Sequence, residues 1–198
     1  MADHKIASGC GQRIVLVNGI PASGKSTVAA ELSKRTGWLY LSLDVIKNPF
    51  LQRIDGVDRE FNRLLGKASY EVIWSIVANA PAGSTIIVDA WFGFQPKAVL
   101  MDYLVQANVT HLAEVWCEVT GDVAAQRYAA RLDQRLPGHP GGEYIPELIV
   151  LAKQAQPMNL GLVYKMEQSV PVDMNKLTDW LFQALEVPVD INKISLRS

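Results

Sequence analysis

The chain has little cysteine, little histidine and almost no net charge. Its 198 residues include two cysteines and three histidines, and the formal net charge is -1. Cys10 and Cys117 lie far apart without a C-x-x-C pair, and His4, His111 and His139 are scattered, so neither a redox dithiol motif nor a Cys/His metal centre is written here. Cys117 ends an apolar run and reads as a buried thiol. A near-zero charge supplies no global field to recruit nucleic acid or an anionic membrane, and a small, locally neutralised substrate suits this balance better. No apolar run reaches signal-peptide or membrane-spanning length, Met1–Arg13 included, so a cytoplasmic protein is expected. No repeat, low-complexity tract or linker interrupts the sequence.

What is present is ordinary globular material: 49% hydrophobic and 20% charged residues. The length suits one domain with a real core, expected over 1–198 with its centre at about 13–186. Apolar runs of β type alternate with helical stretches, which predicts an α/β fold with a parallel sheet flanked by helices. The expected strands are Ile14–Val17, Trp38–Leu43, Ser84–Val88, His111–Val119 and Ser169–Asp173. Helices are expected over Thr27–Arg35, from about Arg59 to Ala80, Pro96 to Ala107, Gly121 to Arg135, Pro146 to Ala155 and Lys176 to Leu185. Nothing is assigned to Val187–Ser198.

The run Gly19-Ile20-Pro21-Ala22-Ser23-Gly24-Lys25-Ser26-Thr27 fits G-x-x-x-x-G-K-[ST] and falls between the first strand and the first helix. Strand before and helix after argue against a chance match. Gly19 and Gly24 permit backbone conformations that other residues resist, so successive N–H groups can curl around a phosphate chain. Lys25 is placed to reach the β- and γ-phosphates, and Ser26 to ligate Mg²⁺. The helix that follows turns its unpaired N–H groups and positive dipole end toward the anion. ATP and Mg²⁺ are the expected cofactors, with Gly19, Ala22, Ser23, Gly24, Lys25, Ser26 and Thr27 around the nucleotide.

Ligands in open α/β sheets bind beyond the carboxyl ends of the strands, so Gly19, Asp44 and Asp89 should share one rim. Asp44 follows the second strand and precedes Val45-Ile46-Lys47, where its carboxylate accepts a hydroxyl proton or caps the helix. Asp89 closes Ile86-Ile87-Val88, as a carboxylate on the Mg²⁺ water shell opposite Ser26 or as a polar strand terminator. Trp91-Phe92-Gly93-Phe94 either walls a substrate pocket or packs a crossover. Arg127, Arg131 and Arg135 recur every four residues before Leu136-Pro137-Gly138-His139-Pro140-Gly141-Gly142. They form either the cationic face of a lid over about 127–144, with Arg131 stabilising the transferred group, or a solvated helix face.

GIPASGKST at 19–27, Leu43-Asp44, IIVDAWFG at 86–93 and RYAARLDQRLPGHP at 127–140 together resemble small-molecule kinases of the P-loop superfamily. That group includes chloramphenicol phosphotransferase, gluconate kinase and zeta-toxin-like kinases, with AAA-type kinases beside them. The resemblance implies Lys25 and Ser26 on phosphate and Mg²⁺, Asp44 as substrate base, Arg127 near the adenine and Arg131 on phosphate. It implies transfer of the γ-phosphoryl group to a hydroxyl of a sugar, polyol, nucleoside or antibiotic. A polynucleotide kinase is the nearest alternative, and near-zero charge ranks it second. Guanine-selective folds use N-K-x-D, but Asn175-Lys176-Leu177-Thr178 and Asn192-Lys193-Ile194-Ser195 lack the aspartate. A hydrolytic motor would place a glutamate after Asp89, where Ala90 stands. Neither the acceptor nor the oligomeric state can be read.

Overall fold

The computed structural model of the chain describes residues 11–167 and 171–191. Readings made at Met1–Cys10, His4 among them, at Ser169–Val170 and at Asn192–Ser198 lie outside these residues. Five strands form one sheet: β1 (Gln12–Asn18), β2 (Leu39–Ser42), β3 (Thr85–Ala90), β4 (Val109–Glu118) and β5 (Leu162–Glu167). They lie in the order β2-β3-β1-β4-β5, and every neighbouring pair is parallel. A parallel sheet needs covering on both faces, which is why its central strand reads as a continuous apolar run. Ile14, Val15, Leu16 and Val17 are all fully buried.

Alternation along the strands divides the core in two. Ile14, Leu16, Ile86, Val88 and Leu112 pack against α3 (Arg59–Asn79) and α4 (Lys97–Gln106), through Tyr70, Ile73, Trp74, Leu100 and Leu104. Val15, Val17, Ile87, Ala113 and Val115 pack against α1 (Lys25–Thr36) and α7 (Met174–Ala184), through Val28, Ala29, Leu32, Leu177 and Leu181. Each large aliphatic side chain buried this way contributes about 1.5–3 kcal/mol. The helix α2 (Leu43–Leu51) continues directly from β2. A third cluster joins Ile20 to α5 (Gly121–Ala129) and α6 (Ile145–Gln154) through Ala124, Tyr128 and Leu148. No helix among the described residues is long and apolar enough to cross a membrane.

Two expectations need correction. The helix expected to run to Arg135 ends at Ala129, and a 3-10 turn at Leu132–Gln134 follows it. Pro137 disfavours helical backbone at Leu136, and Arg135 is extended, with its guanidinium carbon 4.4 Å from the Tyr128 ring centre. The three arginines therefore do not form one helical face. Of the strand expected at Ser169–Asp173, the described part, Pro171–Asp173, is irregular, and the fifth strand of the sheet is β5, which ends before it. As an edge strand β5 keeps Leu162 and Lys165 exposed, which blunts the apolar signal.

Candidate active site

Residues 19–24 carry the chain from the end of β1 over the carboxyl edge of the sheet into α1. Gly24 is left-handed (φ 88°), and so is Ala22 (φ 66°). Gly19 is required for closeness rather than for its φ, since a Cβ there would lie 2.5 Å from Ser23 Oγ and 2.9 Å from the Cys117 carbonyl oxygen. Ser23 is fully buried, and its N–H donates to the Ile20 carbonyl (3.2 Å). No side chain caps α1, in contrast to α3, α5 and α7, which are capped by Asp58, Thr120 and Asp173. α2, α4 and α6 likewise lack a side-chain cap, so it is the loop geometry and not the missing cap that sets α1 apart. Lys25 Nζ donates to the Ile20 carbonyl at 3.4 Å, and Ser26 and Thr27 are exposed beside it.

Beneath the loop lies a buried network that the motif does not announce. Asn18 Nδ2 donates to Glu114 Oε1 (2.7 Å), while Asn18 Oδ1 accepts from the Phe92 N–H (3.2 Å). Glu114 also accepts from the N–H groups of Met158 (2.9 Å) and Asn159 (3.0 Å). Burial raises the Glu114 carboxyl above its ordinary range, although these donors and Lys97 pull the other way. The pair ties the start of the phosphate loop to the turn after β3 and to the loop entering β5. Its sequence signal is a charged residue inside the apolar strand Leu112–Cys117.

Asp89 is the next-to-last residue of β3, 2% exposed, and Tyr40 donates its phenol proton to Oδ2 at 3.0 Å. The other oxygen, Oδ1, is buried without a hydrogen-bond partner. Burial and the neighbouring Asp89 charge push the Tyr40 phenol up to about 12. Cys117 is also pushed up to about 12, by burial first, with Lys25 opposing and Asp89 reinforcing, so this thiol is inert. Cys117, whose carbonyl closes on Gly19, thus lies in the field of both Lys25 and Asp89. An unpaired carboxylate oxygen and the Ser26 hydroxyl are hard donors of the kind Mg²⁺ takes.

Asp44 lies in the first turn of α2, while the cap position belongs to Ser42. Helix capping is therefore not its role. Its side chain is 60% exposed, and Lys47, one turn on, places Nζ 3.6 Å from Oδ1. Crowding by the cleft walls raises the Asp44 carboxyl, but Lys47, Lys25, His139 and Arg135 outweigh this and hold it below the usual carboxylate range. Lys47 is 7% exposed. Burial lowers its ammonium, helped by Arg135 and opposed by Asp44.

Across the cleft the segment 135–141 rests on α2. His139 Nε2 meets Asn48 Oδ1 at 2.9 Å, and its Nδ1 lies 3.4 Å from an Arg135 guanidinium nitrogen. Tyr128 donates its hydroxyl to the Pro140 carbonyl (2.7 Å). A Cβ on Gly138 would come within 2.9 Å of Val57 Cβ, so the backbone lies directly on the turn after α2. Of the three arginines, Arg135 acts on Asp44 through space without an ion pair, Arg131 is exposed beyond the end of α5, and Arg127 is partly buried in the last turn of α5.

The aromatic quartet divides. Phe92 is 1% exposed in the core, whereas Trp91 packs with Ile20 and Ala22 of the phosphate loop and leans on Trp116 at 6.1 Å. A cavity of about 330 Å³ runs along α1 from Thr27 past Ala30 and Lys34 to Val172 and Met174.

Comparison with known proteins supports the fold. A family model described as an AAA domain matches residues 14–141, well over half of the chain. Similar solved structures include a candidate kinase from Chloroflexus aurantiacus J-10-fl, with TM-score 0.72, 24% identity, and coverage of 88% of this chain and 98% of that one. Kti12 from Chaetomium thermophilum, in complex with ADP-AlF3, has TM-score 0.59 and 16% identity, over 87% of this chain and 98% of that one. Deoxyadenosine kinase from M. mycoides, with bound dATP, has TM-score 0.56 and 16% identity, over 88% and 100%. At these identities the likeness establishes the P-loop NTPase fold. Among curated proteins none matches in sequence.

Proposed function

The chain belongs to the AAA domain family, and from that premise we propose that it is an ATP- and Mg²⁺-dependent phosphotransferase acting on a hydroxyl of a small molecule. The observation that carries the reading is Asp44: an ionised carboxylate, free of capping duty, in the field of the phosphate-loop lysine. In this reading the phosphate loop Gly19–Thr27 holds the nucleotide, with Ala22, Ser23 and Gly24 turning N–H groups toward the phosphates and Arg127 beside the base. Ser26 and Asp89 would hold Mg²⁺, which supplies charge neutralisation across the β- and γ-phosphates.

Asp44 orients the acceptor hydroxyl and takes its proton as the new oxygen–phosphorus bond forms. The bond between γ-phosphorus and the β–γ bridging oxygen breaks, and ADP leaves. Lys25 neutralises the charge that gathers on the transferred group. We assign the segment from Arg127 to Tyr144 as a lid, with Arg131 brought to the phosphoryl group and water excluded on closure. A soluble, cytoplasmic enzyme with a small-molecule acceptor is the corresponding cellular reading.

The test is Lys25→Ala, since the lysine has no core role and its Nζ contacts only a loop carbonyl. ADP release should fall by about a hundredfold or more while the unfolding midpoint stays in place. Near-normal transfer by a folded variant would remove the assignment.

A further inference from the structure

We infer that the acceptor carries its own anionic group, a carboxylate or a phosphate, which Lys47 and Arg135 hold where the segment 135–141 rests on α2 beside Asp44. The inference rests on the kinase reading and narrows its substrate class.

Lys47 is an unusual residue to find 7% exposed. Its ion pair is a single long one, 3.6 Å, to a carboxylate that is itself 60% exposed, which leaves ammonium donors open to the cleft. Arg135 shows the same surplus. Its guanidinium lies over the Tyr128 ring and beside His139 Nδ1, and its Nε is buried with no partner. Among the described residues no carboxylate is within ion-pair reach of Arg135, the resolved pairs being Arg35–Glu31, Lys47–Asp44 and Arg59–Glu147. One carboxylate thus faces two cations in a partly desolvated cleft, and the cations repel one another. Such an arrangement is costly unless an anion completes it.

The place of that anion follows from how the cations are set. Lys47 Nζ lies 3.6 Å from Asp44 Oδ1, and Asn48, the next residue of α2, meets His139 at 2.9 Å, whose Nδ1 lies 3.4 Å from the Arg135 guanidinium. Lys47 and Arg135 are thus gathered where the segment 135–141 rests on α2 beside Asp44, while Lys25, which also acts on Asp44, belongs to the phosphate loop. An acceptor seated there presents its hydroxyl at Asp44 and its anion to the Lys47–Arg135 pair, and His139, tied to Asn48, sets the far wall. Charge-assisted and bidentate bonds of this kind discriminate strongly against a neutral analogue, because the site's buried donors are then left unpaired.

The test uses the full chain with Mg·ATP and matched acceptors: D-gluconate against D-sorbitol and D-glycerate against glycerol for carboxylates, ribose 5-phosphate against ribose and glucose 6-phosphate against glucose for phosphates. ADP release should be confined to anionic members, and the two sets distinguish carboxylate from phosphate. Lys47→Met keeps the length and suits a buried site; it should raise the acceptor KM about tenfold or more, while the ATP KM moves less than about twofold. Three results overturn the inference and spare the kinase reading: equal use of the neutral partners, no use of any anionic member although Mg·ATP binds, or a Lys47→Met effect on the ATP KM instead. Failure of Mg·ATP to bind at all removes the kinase reading, and the inference with it.

Discussion

Replacing Asp44 with asparagine removes a proton acceptor and half of an ion pair at once, and the structure lets the two effects be separated. For the chemistry, a positioned general base contributes about 10²–10⁴ in rate, so kcat should fall by that factor with ATP binding nearly unchanged. For the fold, Nζ of Lys47 lies 3.6 Å from the carboxylate. Two unit charges at that separation attract by about 1 kcal/mol in water and by about 4–5 kcal/mol at an effective dielectric of 20. The Asp44 side chain is 60% exposed, so screening favours the lower end, and the variant should be about 1–2 kcal/mol less stable.

The double variant Asp44→Asn/Lys47→Met resolves the ambiguity. Removing the unpaired buried ammonium should restore most of the lost stability in urea unfolding, because an orphaned buried charge costs more than a well-packed apolar side chain. Turnover should stay low, since no base returns. A double variant that recovers turnover together with stability would show that Asp44 serves only to neutralise Lys47. The pH profile gives an independent check. Lys47, Lys25, His139 and Arg135 hold the Asp44 carboxyl below its usual range, so the base stays ionised as pH falls. The acid limb of kcat should therefore lie below the ordinary carboxylate range, and the stability of the pair should be lost only as pH falls through that lowered value.

Tyr40→Phe removes the phenol that fixes Asp89 Oδ2; the Mg²⁺ or Mn²⁺ concentration for half-saturation should rise about tenfold with unchanged binding of metal-free ATP. Asp89→Asn should weaken metal binding further, and identical metal titrations for both variants and the parent would refute the assignment. His139 is held down to about 4 by burial, with Lys47 and Arg135 acting the same way and Asp44 opposing. A lowered folded-state value means its contribution is complete above about 6.5 and is lost as pH falls toward about 4. His139→Gln keeps a donor for Asn48 and should flatten the urea midpoint across that window; an unchanged curve would exonerate His139.

The parts of the site that the sequence displays are those where local chemistry is decisive. Gly19, Gly24, Lys25 and Ser26 stand at a spacing that few other structures need, and Asp44 and Asp89 follow apolar runs that can only be strands of a covered sheet. What stayed hidden depends on contacts distant in the chain. Lys47, one turn beyond Asp44 on α2, carries no local mark of the burial that leaves it 7% exposed. Asn18 and Glu114 meet across adjacent strands, 96 positions apart in the chain.

Arg135 shows why periodicity misled. A spacing of four is indifferent to where the helix stops, and Pro137 was the local warning. Had α5 run through Arg135 instead of ending at Ala129, six further residues at about 1.5 Å each would have carried that guanidinium about 9 Å along the axis. Instead the chain tightens at Leu132–Gln134 and turns back, setting the guanidinium carbon 4.4 Å from the Tyr128 ring centre. The early end of the helix is therefore what delivers a cation to the Asp44 side of the cleft, and the aromatic face beneath it holds that cation there without neutralising it. A partner carboxylate would have cancelled the charge; a ring leaves it available to a ligand.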